Sequence, residues 1–439
     1  MKSPGLAKNI VILAHYFPPL NSSGARRMES MAKYFVREGR EVSVITTRKI
    51  VPSSVFTELV PDGVRVFEID AFGRCKPSIV TDGGDVVATT SGSSDGGLRR
   101  KIKDFVLATF GQLPDPRLPF GLAIISPLLD RRLLTACRTA DIVLASSPPW
   151  PMLLAALLFR LRFGCAAVLD YRDHFSDCYS MPGSRLAKVV EKIIDRFIAR
   201  RADLLVVISD PMRQYYSQWS ERVSVIMNGF DHDIMEEARR RVSWRPREPY
   251  SPVVIRYVGR VSSDSVPKTL LAAISRLHAE SLISPDSIRF EYYGEWLVLR
   301  ELILRDHPEL LNYFAFFALV PHASAIELMI TADYLLFAET SSASTLSAQG
   351  VLTTKLFEYI GAGRPILADI GGTTLAGKLI SRIGDHHFVS SSVEEFYIRL
   401  KSPQFYSPCG SSVGGAALSL SRSEQSRTYL SLLDSLCAG

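Results

Sequence analysis

The 439-residue sequence has no long hydrophobic run. Its apolar stretches at 152–159 (MLLAALLF) and 313–320 (YFAFFALV) stop at Arg160 and Pro321, whereas a membrane-crossing helix needs about 20 apolar residues. Near the start, residues 9–14 (NIVILA) lack a following apolar stretch and a small-residue cleavage site, so they read as a strand and not as a secretion signal. Cysteine is scarce. The six at 75, 137, 165, 178, 409 and 437 form no CxxC pair, which leaves a disulfide framework or metal cage unsupported. A cytoplasmic chain with reduced thiols is the expectation. Gly 28 and Pro 25 are near average usage, which excludes collagen-like and disordered chains.

What is present describes a globular chain with a large core: 47% hydrophobic, 22% charged and 10% aromatic residues, enough for two or three domains. The charge is lopsided. Residues 1–232 carry 31 Lys and Arg against 23 Asp and Glu, and residues 233–439 carry 20 against 22. The basic runs at 99–103 and at Arg131-Arg132 have apolar neighbours at 105–108 and at Leu133-Leu134. That combination fits either peripheral contact with an anionic membrane or an ordinary solvated helix face. No compact nucleic-acid motif accompanies the charge, so no nucleic-acid partner is expected.

Short β-branched runs alternate with helical spacing along the chain. Residues 9–14 and 41–46 read as strands around a helix at 24–38, followed by strand 141–145, helix 152–162, strand 166–170, helix 185–201 and strand 204–208. A second series follows: strand 253–258, helix 269–279, strand 288–293, helix 323–331, strand 334–337, helix 354–362 and strand 365–369. Such alternation predicts two parallel sheets covered on both faces. Residues 1–235 are expected as a first Rossmann-like domain with a mobile insertion near 73–97. Residues 236–252 are expected as a linker, 253–418 as the second domain and 419–439 as a terminal amphipathic helix. Ligands of open α/β sheets sit beyond the carboxyl ends of the strands, so a cleft between two such domains is anticipated.

Three stretches carry chemistry. The turn FPPLNSSG (17–24) links the first strand to the first helix, and Gly24 with its serines lets backbone amides approach an anion. The strand end YVGR brings Gly259 and Arg260, with Lys268 eight residues beyond Arg260, and a guanidinium and an ammonium together suit a diphosphate. In GVLTTKLFEYIGAGRPIL (350–367), Thr353 and Thr354 start a helix whose first amides can face phosphate, and Glu358 lies one turn on, where a carboxylate can accept both hydroxyls of a ribose. Asp82 and Asp85, in a Gly/Ser/Thr-rich stretch, and His386-His387 read as loop and turn. No metal and no cofactor is expected. His15 reads equally as a cleft or packing residue, Asp170 as a satisfier of backbone amides, and Tyr292, Tyr293 and Trp296 as core or rim.

Taken together, FPP…SSGARR (17–27), ADIVLASSPP (140–149), LDYRDHFSD (169–177), NGFD (228–231), YVGR…K (257–268), PHASAIELMITADYLLF (321–337) and TTKLFEYIGAGRPIL (353–367) resemble the GT-B glycosyltransferases of family 4. The resemblance implies an α/β fold of two doubly wound Rossmann-like domains facing across a cleft, with a C-terminal helix. It implies a retaining transferase that moves a sugar from a nucleotide-diphosphate donor to a lipid-linked or saccharide acceptor. Carried over by position, Gly24 faces the donor, Arg260 and Lys268 neutralise the diphosphate, Leu352 and Thr353 offer amides and Glu358 holds the ribose. Asp173 is the acceptor-side polar residue with His174 its rival, and Asn228 and Gly229 lie on a hinge-side loop. One departure stands out: the family's first glutamate, eight positions before Glu358, is Gly350 here, with Glu339 as a substitute. A bacterial surface-polysaccharide, O-antigen-type branch has the same KLFEY form without that glutamate, and the chain resembles it. The lack of a carboxylate pair of hydrolase type agrees with a transferase. A sugar-nucleotide epimerase of the same fold, or a non-catalytic two-domain binding protein with a decayed site, are the alternatives.

Overall fold

The computed structural model describes residues 5–20, 22–52, 59–75, 79–81, 109–113, 115–126, 128–178, 181, 183–246, 248, 250–339, 352–408 and 413–438. The described residues form two units, one running up to Met227 and taking in the stretch from Gln425, the other beginning at Asn228 and ending at Glu424.

The first unit holds strands β1 (Asn9–Leu13), β2 (Glu41–Thr47), β4 (Arg65–Ile69), β6 (Ile142–Ser147), β7 (Ala166–Tyr171), β8 (Leu204–Val207) and β9 (Val223–Val225), between which β3 (Ile50–Pro52) and β5 (Ile79–Thr81) form a separate parallel pair. Its main sheet has the order β4-β2-β1-β6-β7-β8-β9 and every neighbour is parallel. Alternation along β1 explains why both faces are covered. Val11 and Leu13 join a core with the helix Pro151–Phe163, whereas Ile10 and Ile12 join one with the helix Ser23–Arg37. Into that second core the last helix, Arg422–Ala438, sends Tyr429, Leu430 and Leu433.

The second unit holds β10 (Val253–Val258), β11 (Ile288–Tyr293), β12 (Phe314–Phe317), β13 (Tyr334–Ala338), β14 (Ile366–Asp369) and β15 (Phe388–Ser390), in the order β12-β11-β10-β13-β14-β15, again all parallel. The fold expected from the alternating pattern, two parallel Rossmann-like sheets with a C-terminal helix, is what the chain adopts.

Two stretches differ from the pattern. Within the span expected as insertion, Ile79–Thr81 is strand, paired with Ile50–Pro52. The polar stretch from residue 233 begins as the helix His232–Arg241. Asp231 caps it by accepting from the Asp233 and Ile234 amides, Met235 and Ala238 are buried, and three arginines sit at its carboxyl end, where the helix dipole favours them. Polarity alone hid a helix that needs only two buried residues per three turns.

Candidate active site

The carboxyl ends of the strands in the second unit gather most of the residues singled out from sequence. β10 runs into Gly259 at φ +131°, a backbone state that favours glycine, and Gly294 after β11 sits at φ +126°. A side chain on Gly294 would run into the Gly259 carbonyl, 2.5 Å away, so two glycines let adjacent loops touch. Arg260 is exposed and pairs with Glu295 at 3.1 Å. Lys268 is exposed as the first residue of the helix Lys268–Ala279. The Thr269 and Leu270 amides of that helix donate to Asp369 at 2.9 and 3.0 Å, so β14 supplies the carboxylate that closes the helix start and leaves the lysine side chain outward. Burial keeps the Asp369 carboxyl raised.

The helix Thr354–Ala362 is the other half of the site. Thr353 is its N-cap residue in extended backbone, yet its hydroxyl makes no capping bond and donates to Glu339 at 3.0 Å. Among the described residues no side chain closes this helix start, which leaves its amides available to an anion. The Glu339 carboxyl is pushed up by burial, with the Thr353 bond and the Lys355 charge opposing. Leu352 is buried and its carbonyl accepts from the Asn228 side chain at 3.2 Å. Glu358 is buried and bonds His322 Nε2 at 2.9 Å. The ammonium of Lys355 lies 3.9 Å over the Tyr257 ring and donates to its hydroxyl, which itself donates to the Arg260 carbonyl at 2.8 Å. Tyr359 accepts from the Val258 amide at 2.9 Å, so the KLFEY string ties the helix to β10 on one side and presents Glu358 on another.

The strand ends of the first unit are arranged differently. Arg27 and Asp170 form a buried pair at 2.8 Å, and the same guanidinium donates to the Ile226 and Met227 carbonyls while Tyr429 donates to Asp170. Asp170 therefore answers an arginine and not the backbone amides expected from sequence. A methyl group on Gly24 would collide with the Arg172 guanidinium, which donates to the Pro148 carbonyl and lies 5.5 Å from the Tyr16 ring centre. Gly24, the 148–149 turn and the YRDHF turn thus meet. Asp173 is half-buried, its carboxyl raised by burial against the pull of Arg172. His174 is 4% exposed, packed at 4.7 Å edge-on to Tyr215 and 5.7 Å against Tyr216; neither ring nitrogen has a partner among the described residues, and burial lowers its pKa to about 4. His15 accepts or donates at Thr47 Oγ1, 2.8 Å away, and burial also takes it to about 4.

Sequence reasoning missed His322, Lys355, Asp369 and Arg172. His322, Lys355 and Arg172 lie in stretches already quoted, yet nothing in spacing alone says that a helix-start histidine 36 residues upstream meets Glu358. His387 accepts from the Ile366 amide at 3.1 Å, and Tyr292 stacks on Tyr257 at 5.1 Å, which makes both of them packing residues. Gly350, Asp82, Asp85, Cys409 and the basic run 99–103 lie outside the described residues.

Two consecutive parallel Rossmann-like sheets, with their polar residues at the strand carboxyl ends, define the GT-B architecture. Solved structures with this architecture align over nearly the whole chain. They include the sucrose-phosphate synthase of Thermosynechococcus elongatus (14% identity, 98% of this chain and 96% of that one, TM-score 0.56) and HepE of Anabaena in complex with UDP and glucose (14%, 98% and 100%, 0.54). A third is the α,α-trehalose 6-phosphate synthase of Burkholderia multivorans (10%, 99% and 99%, 0.58). Residues 23–229 match the family model described as "Glycosyl transferase 4-like domain". The chain thus has the GT-B fold, and its residues 23–229 are similar to a glycosyltransferase 4-like domain. A search of curated protein sequences gives no significant match.

Proposed function

We propose that the chain transfers a sugar, with retention, from a nucleoside-diphosphate donor held by the second unit to a lipid-linked or saccharide acceptor used in cell-surface polysaccharide assembly. The observation that carries this reading is the helix Thr354–Ala362, whose start is uncapped and whose Glu358 is fixed one turn in by His322. Phosphate at the open amides and ribose hydroxyls at Glu358, about one helical turn further on, would hold two neighbouring parts of a nucleoside diphosphate. HepE of Anabaena, of the same architecture, is solved with UDP-glucose, which supports a donor of this class.

Cleaving a glycosyl–phosphate bond builds negative charge on the departing diphosphate. Arg260, Lys268 and the amides of Leu352 and Thr353 stabilise that charge, and Gly259 lets the phosphate come close to backbone. The departing phosphate oxygen takes the acceptor's proton on the face it leaves, so no protein nucleophile is required. Glu339, already tied to Thr353, is the proposed stand-in for the glutamate that Gly350 replaces. Asp173 is the proposed acceptor-side group in preference to His174, whose ring is enclosed by tyrosines. Gly24 is kept as a close-approach position beside it.

The test is thermal stabilisation by UDP, GDP, ADP, dTDP and CMP, on the wild type and on Glu358→Ala. A nucleotide at 100 times its dissociation constant adds about 2.7 kcal/mol to the folded state. One diphosphate should stabilise the wild type, and the variant should lose most of the effect. No stabilisation at millimolar concentration overturns the reading, and binding without sugar transfer to any acceptor assigns a binding protein in its place.

A further inference from the structure

The helix Arg185–Ala199 of the first unit is amphipathic in an unusual sense, because its water-facing side carries the apolar stripe. Leu186, Val189, Val190, Ile193 and Phe197 are 74, 55, 38, 63 and 47% exposed, at the i, i+3, i+4, i+7, i+11 spacing of one helix face. The opposite face is already in use. Ala187, Ile198 and Ala199 are buried, and both acidic residues of the helix are turned inward at 0% exposure. Asp195 accepts from the Tyr171, Tyr216 and Ser176 hydroxyls, and Glu191 accepts from the Gln112 amide and the Lys188 ammonium.

What remains outside is one sign of charge. Arg185, Lys192, Arg196, Arg200 and Arg201 border the apolar stripe, and among the described residues none of them pairs with a carboxylate. The Arg201 guanidinium lies over the Phe197 ring at 3.7 Å and donates to the Phe197 carbonyl at 3.3 Å, so a cation sits on the stripe itself. We propose that this face docks the protein on an anionic lipid bilayer. The apolar stripe enters the headgroup–acyl boundary and the bordering cations meet anionic headgroups. A second copy of the chain fits less well, since a two-fold contact on this face sets like-charged borders against each other. The basic pair Arg131-Arg132 has no such stripe, because Leu133 beside it is fully buried in the core.

The assignment does not depend on the transferase reading. It is tested by flotation of the full chain with vesicles of phosphatidylcholine alone or with added phosphatidylglycerol. The wild type should float with the anionic vesicles and release as salt is raised. The variant Val189→Glu/Ile193→Glu should lose binding by about tenfold or more. Lys192→Glu/Arg196→Glu should lose the preference for anionic vesicles, and both variants should melt with the wild type because the altered side chains are exposed. Wild type that stays with neither vesicle, or a Val189→Glu/Ile193→Glu variant that floats as well as wild type, overturns the proposal. So does a wild-type dimer that this variant dissolves, which would give the face to a second copy. Nucleotide stabilisation read on the same variants separates the two readings: it should be unchanged when vesicle binding is lost.

Discussion

At the carboxyl ends of the first sheet's strands Arg27 and Asp170 meet out of reach of water, whereas beyond those of the second Arg260 and Lys268 stand in it. The residue types are similar and the burial is opposite, so the same chemistry does different work. A buried pair with every donor directed at a carboxylate or carbonyl locks β7, the segment 226–227 and the last helix together. An exposed cation, even one held in a solvated ion pair as Arg260 is, can exchange its partner for a ligand. The comparison places the ARR and LDY strings largely in the architecture and leaves the YVGR…K and TTKLFEY strings as the ones proposed to bind.

The sharpest way to break it is Asp170→Ala. Removing one partner leaves the Arg27 guanidinium buried beside two carbonyls, a loss of about 3–5 kcal/mol in denaturant unfolding. A loss below about 1 kcal/mol would show that the pair is not what holds these elements together.

A smaller effect separates packing from chemistry at His174. Its folded pKa of about 4 lies below the ordinary value of 6.5, so the unfolded chain binds the proton first. The stability tied to the neutral ring is therefore present above pH 6.5 and is lost as pH falls through about 4, up to about 3 kcal/mol. His174→Phe keeps the ring among Tyr215 and Tyr216 and removes two unpartnered nitrogens, so it should flatten this acid limb. Asp195 works the other way: burial raises it to about 6, so its contribution is present below 3.8 and is lost as pH rises through about 6. The unfolding free energy of His174→Phe against pH tests the assignment. Transfer activity that survives the substitution keeps Asp173 as the acceptor-side group, and activity that vanishes with the fold intact restores His174.

Periodicity made both sheets legible, because parallel strands buried on two faces are continuous β-branched runs and the helices between them have 3.6-residue spacing. The bounds of the helix Thr354–Ala362 follow from its Thr start and Gly stop. Glu358 was legible for the same reason, as a polar residue fixed at one turn from a helix start. Its partner His322 was not, since which side chain meets another across a sheet edge depends on the crossing of two helices and not on spacing. The helix His232–Arg241 escaped because its buried face is two residues wide in a polar segment. The inward turn of Glu191 and Asp195, which leaves a basic rim around an apolar face, could be read only once their partners from elsewhere in the chain were in place.

The smallest stability effect should come from the residues proposed to hold the diphosphate. Arg260→Ala and Lys268→Ala touch exposed side chains and should change unfolding free energy by no more than about 0.5 kcal/mol. Each should nevertheless weaken the diphosphate by about tenfold, the scale of a lost hydrogen bond between charged groups, and the loss should shrink as salt is raised. Glu295 sharpens the point. It now holds Arg260 in an exposed ion pair, an arrangement worth about 0–1 kcal/mol, and the diphosphate must compete with it. Glu295→Gln should therefore tighten the nucleotide a few-fold while leaving the melting temperature of the free protein unchanged. Calorimetric titration of the three variants reads all of this directly. A tightened Glu295→Gln beside a weakened Arg260→Ala places Arg260 at the phosphate, whereas two unchanged affinities would assign that loop to the surface and move the cation role to Lys355, which lies against Gly259 from the other side.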